Sequence, residues 1–398
     1  MALWRTWESL PLLSLSQGGR TNMKRFSVSS PTLIPRTVFL FFTVTLLMAA
    51  AQAGTIKVVA STVPSNGDVN PYGMAVVPVT MGSLTQGNIL ISNFNNSNNF
   101  QGTGTTIVQI TPGGKMSQFA QINANNLPGP CPGGIGLTTA LVALRSGFVV
   151  VGSLPTTDGT SATAQAGCLL VLDSNGNVVE TFFGSLINGP WDMTVADGGS
   201  HASLFVTNVL NGTVAGGGNV VNQGTVVRLN LTIAHGAMPS LQSMTVIGSG
   251  FSEKTDPAAL VIGPTGVHLS NSSGDGNNED GNQGQVLYVA DSVNNRIAAI
   301  PNPLSRNSSA NTGMTVTKGG ALNDPLGLTV IPNGDIITVN GDDGFEIETT
   351  PSGHQISKVL LDSSGNPPGA GALFGVAFVS GQGLYYVDDA TNTLNLFH

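Results

Sequence analysis

The feature that most constrains this chain is a repeat. Six times a turn of Asn, Asp, Gly or Pro leads into an apolar strand, then a short turn, then a second apolar strand that ends on a polar residue. The copies begin at Asn70-Pro71-Tyr72-Gly73, Gly133, Gly189-Pro190-Trp191-Asp192, Asp256-Pro257, Asp324-Pro325-Leu326-Gly327 and near Phe374-Gly375. Each unit has room for about four strands, too small a sheet to bury its faces alone, so the units must stack on one another. The last unit is one strand short, and an orphan strand, Thr55 to Ala60, precedes the first. Pairing that strand with the C-terminal Leu394-Asn395-Leu396-Phe397 completes the sixth unit and closes the ring, removing exposed edges. The expected fold is therefore all-β, a six-bladed β-propeller closed by an N-terminal strand that completes the last blade. A seven-bladed ring, with a degenerate blade in the long third or fourth unit, and an open β-solenoid are the alternatives.

Composition agrees. Of 398 residues, 52 are Gly and only 9% are charged, which does not suit helices, while 40% hydrophobic content excludes a disordered chain. Residues 1–53 are set aside as a signal peptide with an upstream extension. Lys24, Arg25 and Arg36 flank the apolar run Val38 to Ala50, and Ala51-Gln52-Ala53 offers an A-x-A cleavage signature. The run is shorter than the ~20 residues of a spanning helix, and Met23, just before the basic pair, is read as the true start. Residues 54–398 then form one domain, secreted, periplasmic or extracellular, with no later membrane span. Five of the 14 basic and one of the 22 acidic residues precede Gly54, leaving nine against 21. That net −12 disfavours nucleic acid and anionic membranes as partners. Cys131 and Cys168 are expected to form a disulfide in an exported protein. Asn175-Gly176, Asn211-Gly212 and Asn333-Gly334 read as type I′ hairpin turns.

In a propeller, the turn leading into each innermost strand and the end of each second strand share one face. That face collects Asp192, Asp256 and Asp324 from the turns, and Asn93, Asn208, Asp291, Asn340 and Asp388 from the strand ends. Ligand-binding candidates are Trp191, Asp192, Asn208, Asp291, Asn340 and Asp388. Oxygen ligands suit Ca²⁺ or another divalent cation, for which Asp256, Asp291, Asp324 and Asp388 are the candidates. The competing reading is that Asp and Asn cap turns through backbone N–H groups. Trp191, the only Trp beyond residue 53, is either a stacking platform for a ligand or packing between blades. His268 reads as a packed histidine, and Ser270 to Gly284 as a solvated loop without EF-hand spacing.

The stretch Leu287-Tyr288-Val289-Ala290-Asp291-Ser292-Val293-Asn294-Asn295-Arg296-Ile297 resembles the centre of an NHL repeat. Asp324-Pro325-Leu326-Gly327-Leu328 and Pro332-Asn333-Gly334-Asp335-Ile336-Ile337 are similar to that repeat's opening. The resemblance implies the propeller fold more than an activity, because such propellers host binding modules, lactonases, lyases and redox enzymes. The more distant regucalcin and gluconolactonase group implies a divalent cation held by a first-blade Glu with Asn and Asp. This chain departs there, with Asn70-Pro71-Tyr72 in that unit and no Glu between Gly54 and Glu180. The expected function is a binding or scaffold module for a protein, glycan or small molecule, acting as a monomer. The alternative is a metal-dependent hydrolase or lyase on the same face.

Overall fold

A computed structural model of the chain describes residues 54–270 and 285–398. The signal-peptide reading and the loop after Ser270 lie outside these residues. Strand β1 (Ile56–Ser61) stands alone at the start. Blade 1 holds β2 (Val69–Val76), β3 (Ile89–Asn95), β4 (Thr106–Ile110) and β5 (Met116–Gln121). Blade 2 holds β6 (Leu137–Ala143), β7 (Val149–Ser153), β8 (Leu169–Leu172) and β9 (Val178–Phe182). Blade 3 has five strands: β10 (Pro190–Asp197), β11 (His201–Asn208), β12 (Val221–Thr232), β13 (Ser240–Asp256) and β14 (Leu260–Ile262). Blade 4 is β15 (Pro264–Leu269), β16 (Val286–Asp291), β17 (Arg296–Pro301) and β18 (Met314–Lys318). Blade 5 is β19 (Pro325–Val330), β20 (Ile336–Asn340), β21 (Phe345–Thr349) and β22 (Gln355–Leu360). Blade 6 is β23 (Leu373–Val379), β24 (Gly383–Asp388), β25 (Thr393–Phe397) and, outermost, β1.

The ring closes as the strand count requires. β1 runs antiparallel to β25, with Ile56 opposite Phe397 and Ser61 opposite Thr393. The innermost strands touch in the order β2, β6, β10, β15, β19, β23 and back to β2. Second strands lie between two neighbouring sheets, so both their faces are covered. Ile89–Asn95, Val149–Ser153 and Ile336–Asn340 are buried at every position, which is why they read as continuous apolar runs. The outer strand β22 alternates half-buried and exposed residues instead. One apolar cluster fills each gap between blades: Leu90 and Ile107 meet Leu141 and Leu170, for example, and Phe205 and Phe251 meet Val267 and Leu287.

Two sequence expectations need correction. The fourth blade does not start at Asp256-Pro257. Residues 256–262 form a hairpin on blade 3, with Lys254 opposite Ile262 and Asp256 opposite Leu260, and the inner strand of blade 4 begins at Pro264. The run Ala258 to Ile262 looks like an inner strand because it is apolar and partly β-branched. Leu260 instead takes a positive φ of 64° and turns the chain back. The Asn-Gly turns are also not type I′, which needs positive φ at both central residues. Gly176 and Gly334 have positive φ while Asn175 and Asn333 do not, the pattern of a type I turn closed by a left-handed glycine. Asn211-Gly212 lies between β11 and a four-residue helix, α1 (Thr213–Gly216), outside any two-residue hairpin.

All six inner strands carry a bulge at the same place. It lies between Pro71 and Gly73, Leu137 and Leu141, Pro190 and Met193, Pro264 and Val267, Pro325 and Leu328, and Leu373 and Val376. A bulge bends a strand and re-aims a side chain. Here it brings Tyr72, Trp191 and Phe374 of blades 1, 3 and 6 together.

Candidate functional site in the channel mouth

The strand ends sit on one face, as the repeat implies. Asn93 lies opposite Pro71, Asn208 opposite Pro190, Asp291 opposite Pro264, Asn340 opposite Pro325 and Asp388 opposite Leu373. These side chains are buried and bonded to their own loops. Asn208 Oδ1 accepts the Asn188 amide at 2.8 Å, and Asn340 Oδ1 accepts that of Asn323 at 3.1 Å. Asn93 Nδ2 donates to Thr62 O. Asp388 Oδ1 accepts from Thr391 N at 3.0 Å. Asp291 receives Arg296 Nε at 2.8 Å and the Asn294 amide; burial still pushes its carboxyl up, against the pull of both partners. The sequence reading missed Ser153, which holds the same position in blade 2 and accepts from Gly136 N at 3.0 Å.

The centre of the face is aromatic. Tyr72 stacks on Phe374 with centroids 3.8 Å apart and on Phe94 at 4.5 Å; Trp191 lies 6.5 Å from Phe374. Tyr72, Trp191 and Phe374 are the bulge residues of blades 1, 3 and 6, so one backbone device aims all three inward. The tip of the blade 3 hairpin covers them. Ala259, Leu260, Val261 and Ile262 are buried in one cluster with the aromatic residues, Leu154 and Leu326. Tyr72 O–H donates to Ala258 O at 3.2 Å, and Trp191 Nε1–H donates to Val261 O at 3.1 Å. From blade 1, Gln101 Nε2 donates to Pro257 O at 2.9 Å. Beneath Ala259 is a cavity of about 10 Å³, room for about one water, lined by Tyr72, Phe94, Thr138, Thr139, Leu154 and Trp191. The buried Thr139 hydroxyl has no partner.

Carboxylates surround the aromatic centre. Asp256 caps the hairpin tip, its Oδ1 accepting from Ala258 N at 2.8 Å and Ala259 N at 2.9 Å. Asp324 is pushed up to about 8, first by burial and then by the charges of Asp256 and Asp342; its Oδ1 has no hydrogen-bond partner. Burial beside Asp388 likewise pushes Asp389 up to about 8. Asp192, deeper on β10, is pushed up to about 7 by burial, although Val267 N of the next blade (3.0 Å) and Met193 N donate to it. Among the described residues no three acidic, His or Cys side chains gather as a ligand set. The four metal candidates are divided: Asp291 pairs with Arg296, Asp388 and Asp256 cap turns, and only Asp324 is unpartnered. This arrangement does not fit a cation at the channel centre. His268 is packed, as read, with Nδ1 2.9 Å from Leu269 O, and burial holds it down at about 4.

The Cys131–Cys168 disulfide forms and ties the turn before β6 to the residue before β8. No helix among the described residues is long and apolar enough to cross a membrane.

No protein-family profile matches the chain, and no curated protein does. Solved structures do. A calcium-binding regucalcin from Agrobacterium tumefaciens is 13% identical, with a TM-score of 0.52, over 85% of this chain and 93% of that one. A luciferin-regenerating enzyme is 11% identical, with a TM-score of 0.53, over 87% and 95%. A gluconolactonase from Xanthomonas campestris is 13% identical, with a TM-score of 0.50, over 86% and 89%. At such identities the likeness is one of fold: this chain is a six-bladed β-propeller of the architecture those proteins share.

Proposed function

We propose that the chain is an exported binding propeller that takes an uncharged, apolar-bodied ligand at the channel mouth. The observation that carries this reading is the floor of Tyr72, Phe94, Trp191 and Phe374, equipped with two hydrogen-bond donors, Tyr72 O–H and Trp191 Nε1–H. The hairpin tip fills this floor to within about 10 Å³; cleared of the tip, the floor has the apolar surface with a few convergent polar groups usual for a small-ligand site, and aromatic faces with a polar handle suit amphipathic ligands. Export rests on the leader sequence and agrees with the disulfide.

The test is binding by the mature chain from Gly54, wild type against Trp191→Ala, on arrays of neutral glycans and peptides. Selective retention that disappears in the variant is the expected result. Retention unaffected by Trp191→Ala sinks the reading.

A second reading, a hydrolase of lactone type, draws on the fold likeness to gluconolactonase and regucalcin and on one local feature. Asp192, Asp324 and Asp389 are carboxyls held near neutral pKa at the mouth, the property expected of acid–base groups. Turnover of gluconolactone by the mature chain, lost in Asp192→Asn, would favour it over the binding reading.

A further inference from the structure

Resting on the binding reading above, we propose that residues 257–262 are an intramolecular occupant of the mouth, and that its external ligand is a short apolar peptide segment whose place they hold. Three observations carry this.

The first is the chemistry of recognition. All three side-chain donors that reach the tip bond to main-chain carbonyls: Gln101 to Pro257 O, Tyr72 to Ala258 O, Trp191 to Val261 O. The contacts to Ala259, Leu260, Val261 and Ile262 are apolar. Such a floor reads backbone carbonyls and apolar bulk, which any apolar peptide of similar path can supply.

The second is that the occupant fits imperfectly. Leu260 is buried with φ of 64°, a left-handed conformation that disfavours a side chain. The void beneath Ala259 and the unpartnered Thr139 hydroxyl are floor that the segment leaves unused. A ligand chain that extends further into the mouth gains both.

The third is that the segment is a local addition to the edge of blade 3. Its hairpin pairs at three positions only, Lys254, Thr255 and Asp256 with Ile262, Val261 and Leu260. Its tip is capped by one side-chain oxygen, Asp256 Oδ1. Displacing it opens the mouth without opening a blade, because β13 remains paired to β12 from Ser240 to Glu253.

The probe is the dye-labelled hexapeptide Pro-Ala-Ala-Leu-Val-Ile, the segment itself supplied in trans. The protein is the mature chain, wild type and with residues 257–262 replaced by alternating Gly and Ser. Removing the resident segment raises the binding-competent fraction, so the replaced chain should bind the peptide by anisotropy at least about tenfold more tightly than wild type. Adding Trp191→Phe, which removes the donor to the peptide carbonyl, should reverse that gain. A replaced chain with a native cooperative melt that binds no better than wild type overturns the proposal. Should that chain not fold, Asp256→Ala in the otherwise intact protein removes only the cap; tighter peptide binding supports the proposal and unchanged binding overturns it. A replaced chain that retains a neutral glycan through Trp191 but ignores the peptide overturns the peptide ligand while leaving the mouth as the binding site.

Discussion

At the scale of single residues, hydroxyls join neighbouring blades, Ser92 and Thr207 by the same device. Ser92 Oγ accepts from Gly73 N at 3.0 Å and donates to Thr138 O of blade 2 at 2.7 Å. Thr207 Oγ1 repeats the device, accepting from Asp192 N at 3.0 Å and donating to Thr265 O of blade 4 at 2.8 Å. Thr207→Val keeps the shape but leaves a buried amide and carbonyl without this partner. Urea unfolding should show a loss of about 1–3 kcal/mol; no change would mean that the bonds are not made. The strands also meet through glycine. A Cβ on Gly327 would lie 1.9 Å from Phe374 O, so Gly327→Ala must push blades 5 and 6 apart and lower the melting temperature. The Asp and Asn ring was legible because those residues recur at strand ends. Ser92 and Thr207 were not, because a hydroxyl inside an apolar run looks like any strand residue until the neighbouring blade is in place.

At the scale of elements, the repeat made most strands legible, and the exception is the hairpin that closes the mouth. Its apolar run has the composition of an inner strand, and contacts with the other blades bend it into a cover. A local signal was present: a glycine follows two residues after Pro71, Pro325 and Pro264, where the next blade approaches too closely for a Cβ, whereas Ala259 holds that place after Pro257. Trp191 reads as either packing or platform; in the structure it is buried, with its N–H bonded to the cover. The disulfide spans a separation of 37 residues and holds the long β7–β8 loop to the same face. Replacing both Cys131 and Cys168 by Ser should cost roughly 4 kcal/mol by the chain-entropy estimate, read as a lower urea midpoint. An unchanged midpoint would show that the loop is already held by its other contacts.

At the scale of the whole molecule, stability rests on closure. β1 covers the outer edge of blade 6, and Thr55 and His398 exchange both backbone hydrogen bonds at its end. A chain starting at Thr62 leaves β25 as an open edge and should melt lower and aggregate; an unaltered melt would mean that the ring does not depend on its N-terminal strand. The buried carboxyls set the pH dependence. Asp324 and Asp389 lie near 8, and Asp192, Glu253 and Glu346 near 7, all raised chiefly by burial. Unfolded, such groups titrate at about 4. Between about pH 4 and 8 the folded chain therefore holds more protons than the unfolded one, and stability falls as pH rises through 7 to 8. The melting temperature should rise by a few degrees from pH 8 to pH 5, and Asp324→Asn should flatten that rise. A melting temperature that fell towards pH 5 would contradict the burial of these groups.

The central claim is that a ligand floor lies beneath the tip of the blade 3 hairpin, and Trp191 reports on it directly. As the sole Trp beyond residue 53, its emission in a chain starting at Gly54 is free of other Trp signals. Acrylamide quenching would be measured for the wild type and for the chain with residues 257–262 replaced by Gly and Ser. The account predicts a shielded, blue-shifted Trp191 in the wild type and an accessible one in the replaced chain, with the cooperative melt retained. A Trp191 equally shielded in both would mean that it is core packing and that no site lies under the hairpin.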